Sequence, residues 1–363
     1  MKKIIKRILL VIAILLLTVI ISGILFFLIG RTLHKMQTNI KTSNGVQETV
    51  TIEVNGIKEQ LSIRGENQSN PVILFLHGGP GSPTGCFDYL WEPYLNDQFT
   101  IVTYAQRGCG RTYYDNPNAE ISRELVLQDI DKTVDYLRER FGQDKIIIMG
   151  HSWGTLIGTL YVQDHPEKVS SYIGVGQAVN TFAGEDIAFN EALRRATEAD
   201  DREYVSKITK AYKAFCVTHK VDNDFFIYRN MEPKYLRGIR EKTFIKMYLE
   251  AATSPDMNLQ DMKWHLIDSS KILMAEDNTL TQELFYFDAN EILNYQVPMY
   301  FISGGNDYTT PFSAVQSYYE KITAPDKNMI IIDGAGHNTF IDVLKEFAET
   351  VKQLILKNNW SNE

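Results

Sequence analysis

The chain opens on its longest apolar run. Ile8 to Gly30 is 23 consecutive uncharged residues, mostly Ile, Leu, Val and Phe. About 20 such residues suffice for a helix to cross the hydrocarbon core of a bilayer. No polar face interrupts the run, so it does not read as a buried helix of a soluble domain. Lys2, Lys3, Lys6 and Arg7 precede it, and Arg31 and Lys35 follow. The denser positive cluster is N-terminal, which predicts that the short tail stays inside and the rest of the chain lies across the membrane. No small-residue cleavage site stands before Arg31, so an uncleaved single-pass anchor is expected over a removed signal peptide. Residues 31–47 are polar and read as a short stalk.

Beyond the stalk the pattern changes to short strands and amphipathic helices. Thr49 to Gly56 alternates apolar with polar residues, and Ile57 to Arg64 alternates again across Asn55-Gly56, the signature of an antiparallel hairpin. Val72–Leu76, Phe99–Tyr104, Lys145–Met149, Val169–Val175, Val297–Ile302 and Asn328–Asp333 are continuous apolar runs of strand length, as in strands buried on both faces. Leu125, Ile130, Val134, Leu137 and Phe141 recur at helical spacing, and further helices are predicted after Gly154, from Ser313 to Ile322 and from Phe340 to Lys357. Strands alternating with helices predict a mostly parallel sheet covered on both faces. The alternation stops between about 180 and 290, where the chain is polar and helix-like. This reads as a helical lid over the C-terminal edge of the sheet, where open α/β sheets hold their ligands. The organisation expected is a tail, anchor and stalk over 1–47, a core over 48–179 and 291–363, and a lid over 180–290.

Composition narrows the partners. A net charge of −8 and the lack of a basic, aromatic-interleaved stripe argue against nucleic acid. Three cysteines, Cys86, Cys109 and Cys216, imply neither a disulfide framework nor, without a Cys/His cluster, a zinc site.

The candidate chemistry lies in loops that follow the apolar runs. Gly150-His-Ser-Trp-Gly154 stands between a strand and a helix. A G-x-S-x-G turn in that setting is too tight for flanking side chains and exposes the serine hydroxyl, with the next N–H beside it. Ser152 is therefore the expected nucleophile and the Trp153 N–H an expected oxyanion donor. A serine hydroxyl needs a base, and the base an orienting carboxylate. His337, in Gly334-Ala-Gly-His337, follows the last strand and is the expected base. Asp307, in Ser303-Gly-Gly-Asn-Asp307, follows the strand before it and is the expected acid; Asp288, Glu291 and Asp333 are its competitors. His77-Gly-Gly-Pro-Gly81 directly follows a buried strand and supplies backbone donors for the oxyanion. Pro80 cannot donate, which leaves Gly78 or Gly79, with Gly79 preferred. Arg107 and Arg111 are expected to tie loops together.

His77-Gly-Gly-Pro-Gly81, Gln106-Arg-Gly-Cys-Gly-Arg-Thr112 and Gly150-His-Ser-Trp-Gly154 together resemble the proline iminopeptidase family of α/β-hydrolases, over roughly residues 50–355. The resemblance implies the α/β-hydrolase fold, a Ser152–Asp307–His337 triad, no metal or cofactor, and release of N-terminal residues, often proline, from short peptides. Ala105 stands where the family usually carries an aspartate, and His151 where its elbow usually carries glycine. Family members bind the free amine of the substrate through lid glutamates in a tryptophan-rich motif that this chain lacks. Glu185, Glu191, Glu203, Glu232 and Glu241 are the acidic candidates in the lid. The expectation is thus a membrane-anchored serine hydrolase of aminopeptidase type. An esterase acting on small esters or lipids is the alternative, and a non-catalytic surface module is a more distant one.

Overall fold

The structure is a computed structural model that describes residues 2–218, 220, 222–273 and 279–356. Lys357, the expected end of the last helix, lies outside that range.

The first helix, α1, runs from Lys2 to Gln37 and has none of its apolar span buried against the rest of the chain. It is long and apolar enough to cross a membrane. It continues seven residues past Gly30 into the polar stretch expected as a stalk. Nothing there breaks a helix: no glycine or proline follows Gly30 until Gly45, and Thr32 Oγ1 donates back to the Leu28 carbonyl at 2.8 Å. The end of α1 is also held by the globular part. The Arg31 guanidinium donates to the carbonyls of Met257 (2.7 Å) and Pro255 (3.3 Å), and His34 Nδ1 lies 3.0 Å from the carbonyl of Thr253.

Eight strands form one sheet: β1 (Val46–Val54), β2 (Ile57–Gly65), β3 (Val72–Leu76), β4 (Thr100–Tyr104), β5 (Ile146–His151), β6 (Val169–Val175), β7 (Met299–Gly304) and β8 (Lys327–Ile332). Their order is β1-β2-β4-β3-β5-β6-β7-β8. The β1–β2 hairpin and the β2–β4 pair are antiparallel; every later pair is parallel. Side-chain alternation divides the core in two. Leu74 and Leu76 face a layer made by the helices Arg123–Phe141, Trp153–Asp164 and Phe312–Lys321, whereas Ile73 and Phe75 face Trp91 and the helix Leu344–Leu356. The expected last helix is broken in two, Thr339–Asp342 and Leu344–Leu356, at Val343, whose backbone leaves the helical region at φ −134° and ψ 54°.

Between β6 and β7 the described residues are helices and turns, with isolated bridges that pair Asn180 with Asp288, where the segment leaves and rejoins the core, and Asn294 with Thr323. Helices Thr181–Glu198 and Arg202–Thr218 pack as a hairpin. Ala188, Ala192 and Ala196 recur every four residues and meet Tyr204, Ile208, Ala211 and Phe215 in a small core of their own. The later helices, Phe244–Ala252 and Leu259–Lys263, lie where α1 docks. Arg111 joins them to the core with a bidentate pair to Asp261 (2.9 and 2.6 Å).

Candidate active site

The parallel strands all point their C-terminal ends at one edge, and the loops there carry the chemistry. β5 ends at His151 and the next helix starts at Trp153, so the chain reverses on Ser152 alone. Ser152 has φ 53° and ψ −118°, a conformation a non-glycine residue holds only when its surroundings enforce it. Its flanking glycines show the constraint. A Cβ on Gly150 would stand 2.4 Å from the Gly154 carbonyl oxygen, and one on Gly154 would stand 2.0 Å from the Leu76 carbonyl oxygen. The Ser152 N–H is fixed to the Val175 carbonyl at 3.1 Å. Trp153 is the first helical residue, so its N–H lacks an intrahelical acceptor.

Asp307, three residues past β7, is buried and receives four donors. The N–H groups of Thr309 and Thr310 reach Oδ1 at 2.9 Å each, and Thr310 Oγ1 and His337 Nδ1 reach Oδ2 at 2.8 and 2.9 Å. Burial raises the carboxyl's pKa, but the His337 charge and these hydrogen bonds outweigh it and hold the pKa below the usual value. With Nδ1 committed to Asp307, Nε2 is the nitrogen of His337 free to take a proton. His337 and Ser152 line one cavity of about 350 Å³ together with Gly78 and Gly79. They make no direct hydrogen bond to each other. Such contacts are often long before substrate binds.

The competitors of Asp307 are occupied elsewhere. Asp288 caps Asn290 and accepts from Asn180 at 3.0 Å, while Glu291 and Asp333 are exposed.

The loop after β3 lies beside the elbow. Gly78 approaches so closely that a Cβ there would stand 3.1 Å from the Ser152 Cβ. Gly79 has φ +119° and lines the cavity with Ser152. His77 holds the loop from beneath: Nδ1 donates to the Gly78 carbonyl at 2.8 Å, and Nε2 accepts from the Gln106 N–H at 3.1 Å. Only a neutral imidazole can do both, and burial pushes its pKa down to about 4. The Trp264 indole donates to the Gly81 carbonyl at 2.9 Å, which ties the segment between β6 and β7 to the same loop.

A second cavity, about 280 Å³, also reaches Ser152 and is lined by Ala178, Phe225, Leu284, Phe285 and Arg229. Behind Arg229 lie Glu185 at 2.7 Å and Glu232 at 3.1 Å, both buried. Burial pushes the Glu185 carboxyl above the usual carboxylate range, and the Arg229 charge pulls it back. The other lid glutamates are placed differently: Glu191 pairs with Arg194 and Arg195, Glu203 with Lys207, and Glu241 accepts from the Gly238 N–H. Arg107 makes a buried bidentate pair with Asp129 (2.6 and 2.9 Å), a structural tie, as Arg111 does to the lid. Cys86, Cys109 and Cys216 are free thiols.

Three contributors escape a reading of motifs. His151 Nε2 donates to the His337 carbonyl at 3.2 Å, so the elbow's own second residue braces His337. Its ring is buried against His337, and burial lowers its pKa to about 3, so it stays neutral. Thr310 fixes the Asp307 carboxylate; a threonine three residues after an aspartate in a loop is the turn signal that could have revealed it. Arg229 carried no local signal.

The alpha/beta hydrolase fold family matches residues 71–204. The chain is 27% identical over 306 residues to the "Probable aminopeptidase YbaC" of Bacillus subtilis (strain 168), covering 83% of this chain and 94% of that protein. It is 22% identical over 303 residues to a proline iminopeptidase of Lactobacillus helveticus (strain DPC 4571), covering 82% and 94%. Among solved structures, the proline iminopeptidase of Mycobacterium smegmatis superposes with a TM-score of 0.62 at 18% identity, covering 87% of this chain and all of that one, a likeness of fold. The chain thus has the α/β-hydrolase fold and is similar over most of its length to hydrolases named as aminopeptidase and proline iminopeptidase.

Proposed function

We propose that the protein is a membrane-anchored serine hydrolase that transfers an acyl group to water through Ser152, and that its chemistry is of the aminopeptidase type. The observation that carries this reading is the meeting of the strained Ser152 elbow and the Asp307–His337 pair at one cavity. His337 Nε2 takes the serine proton as Oγ bonds to the substrate carbonyl carbon. The proton then passes to the leaving group as its bond to that carbon breaks. Water repeats the sequence and frees Ser152. Asp307 keeps the proton of His337 on Nδ1 and offsets the imidazolium charge. The N–H groups of Gly79 and Trp153 face the oxyanion; losing one such donor costs about 3 kcal/mol of barrier.

The peptidase part of the reading rests on relatives named as aminopeptidases. A second reading, hydrolysis of esters, is favoured by Arg229, which stands between the cavity and the carboxylates of Glu185 and Glu232. A substrate ammonium would meet a guanidinium before it met either glutamate. Turnover of aminoacyl-naphthylamides against 4-nitrophenyl esters separates the two. Amide turnover with a free N-terminus supports the peptidase; ester turnover with none on any amide, proline included, removes it. The anchor is α1, with the globular part on the outer side of the membrane.

A further inference from the structure

The helix Phe244–Ala252 is apolar on two sides. Met247 and Ala251 turn inward to a cavity, while Ile245, Tyr248 and Leu249 recur one helical turn apart and are exposed. The next turns repeat the design: Leu259, Met262 and Leu266 are exposed at 83%, 40% and 61%. Large apolar side chains gathered this way on a water-facing surface mark an interaction site. The structure also states what lies next to them. Arg31 and His34, at the end of the apolar helix α1, are bonded to the carbonyls of Thr253, Pro255 and Met257, between these two exposed rows. An anchor that leaves the bilayer here brings both rows down to its surface.

The same rows rim an opening. Tyr248, Met262 and Leu266 are at once exposed and part of the wall of a cavity of about 440 Å³, lined further in by Met247, Ala251 and Met257. This cavity shares Ser82, Phe87, Met247 and His265 with the one that holds Ser152 and His337. Phe87 and Met247, with Ser82 and His265 beside them, therefore join the cavity at the anchored face to the one at the serine.

We propose that this mouth is a membrane portal: an aliphatic chain of an amphiphile dissolved in the bilayer enters between Tyr248, Met262 and Leu266 and lies along Met247 with its acyl bond at Ser152. The proposal rests on the membrane-anchored hydrolase reading above and gives that site its substrate class. Each methylene moved from water into such a wall favours binding, and a chain already in the bilayer reaches the portal without crossing water.

The test uses the full-length chain with Ser152→Ala, in vesicles of phosphatidylethanolamine and phosphatidylglycerol doped with a phosphatidylcholine that carries a diazirine midway along one acyl chain. Irradiation and peptide mapping are expected to find lipid adducts in α1 and also on Met247 or Met257, inside the cavity. Met262→Trp, which narrows the mouth, should lower the inner adducts by about tenfold, the loss expected when about two methylenes' burial is forfeited, and leave those in α1 unchanged. Adducts confined to residues 4–30, or inner adducts that Met262→Trp does not reduce, overturn the portal. The readout needs no turnover. A failed hydrolase reading therefore shows separately, as wild-type protein that reacts with no serine-directed probe, whichever way the adducts fall.

Discussion

His337 Nδ1 donates to Asp307 Oδ2 at 2.9 Å across two loops that leave neighbouring strands, β7 and β8. The bond fixes which ring nitrogen keeps its proton and so which one faces the cavity. Asp307→Asn presents an amide where the carboxylate stood. It should leave the fold in place and lower kcat by about three to four orders of magnitude, since the imidazole then holds the wrong tautomer. Steady-state kinetics with any accepted substrate check this, with circular dichroism to establish that the fold survives. A loss smaller than about tenfold would mean that another carboxylate orients His337.

Gly154 tests whether the elbow is as tight as its geometry says. A methyl group there would overlap the carbonyl oxygens of Leu76 and His77 at 2.0 and 2.8 Å, and both are backbone atoms that cannot rotate away. Gly154→Ala should cost about 3 kcal/mol or more in urea unfolding and move the serine out of place. Gly56→Ala, in the hairpin turn where nothing lies within 4 Å of a Cβ, carries only the cost of its positive φ and should retain activity.

Around the serine, acid should act through histidines rather than through the Asp307 carboxylate. His77 and His151 are held neutral by burial, with pKa values near 4 and 3 against about 6.5 for an ordinary histidine. A lowered pKa means that the unfolded chain binds the proton more readily. Their contribution to stability is therefore complete above about pH 6.5 and is lost as pH falls toward 4, by roughly 1 kcal/mol per pH unit for each. Asp307 works in the same direction but lower, because its depressed pKa is reached only below the usual carboxylate range. Buried carboxyls such as Glu92, raised to about 8, and Glu185, also raised, act the opposite way over the same window, so the histidines are read by difference: between pH 7 and 5 the unfolding free energy of the full chain in detergent should gain less or lose more than that of His77→Gln. An equal change in the two would place the pH dependence elsewhere.

Much of this was legible in the sequence because it rests on local physics. Ile147 to Met149 is apolar at every position because β5 lies between two helical layers, and Gly150 and Gly154 are glycines because carbonyl oxygens occupy the space a Cβ would fill. Asp307 and His337 could be placed from chain order because successive parallel strands deliver their loops to one edge. Contacts between segments distant in sequence were not legible. Arg229 pairs with a glutamate 44 positions earlier in the chain, and no periodicity marks it as a screen between Glu185 and the cavity. The docking of Arg31 on Met257 spans 226 positions, so residues 31–37 read as part of a short stalk although they are helix, held at Arg31 by the carbonyl of Met257. The exposed row Ile245, Tyr248 and Leu249 has the spacing of an ordinary core-facing helix, and only the fold shows that it faces outward.

The most direct measurement of the central claim is labelling by a fluorophosphonate, which bonds only to a serine made nucleophilic by its base. Full-length protein should take up one label, mapped by mass spectrometry to the peptide that carries Ser152. Ser152→Ala should take up none while keeping its melting temperature, and His337→Ala should label far more slowly. Wild-type protein that is folded and stays unlabelled, or that carries its label on another residue, would contradict the assignment of Ser152 as the nucleophile.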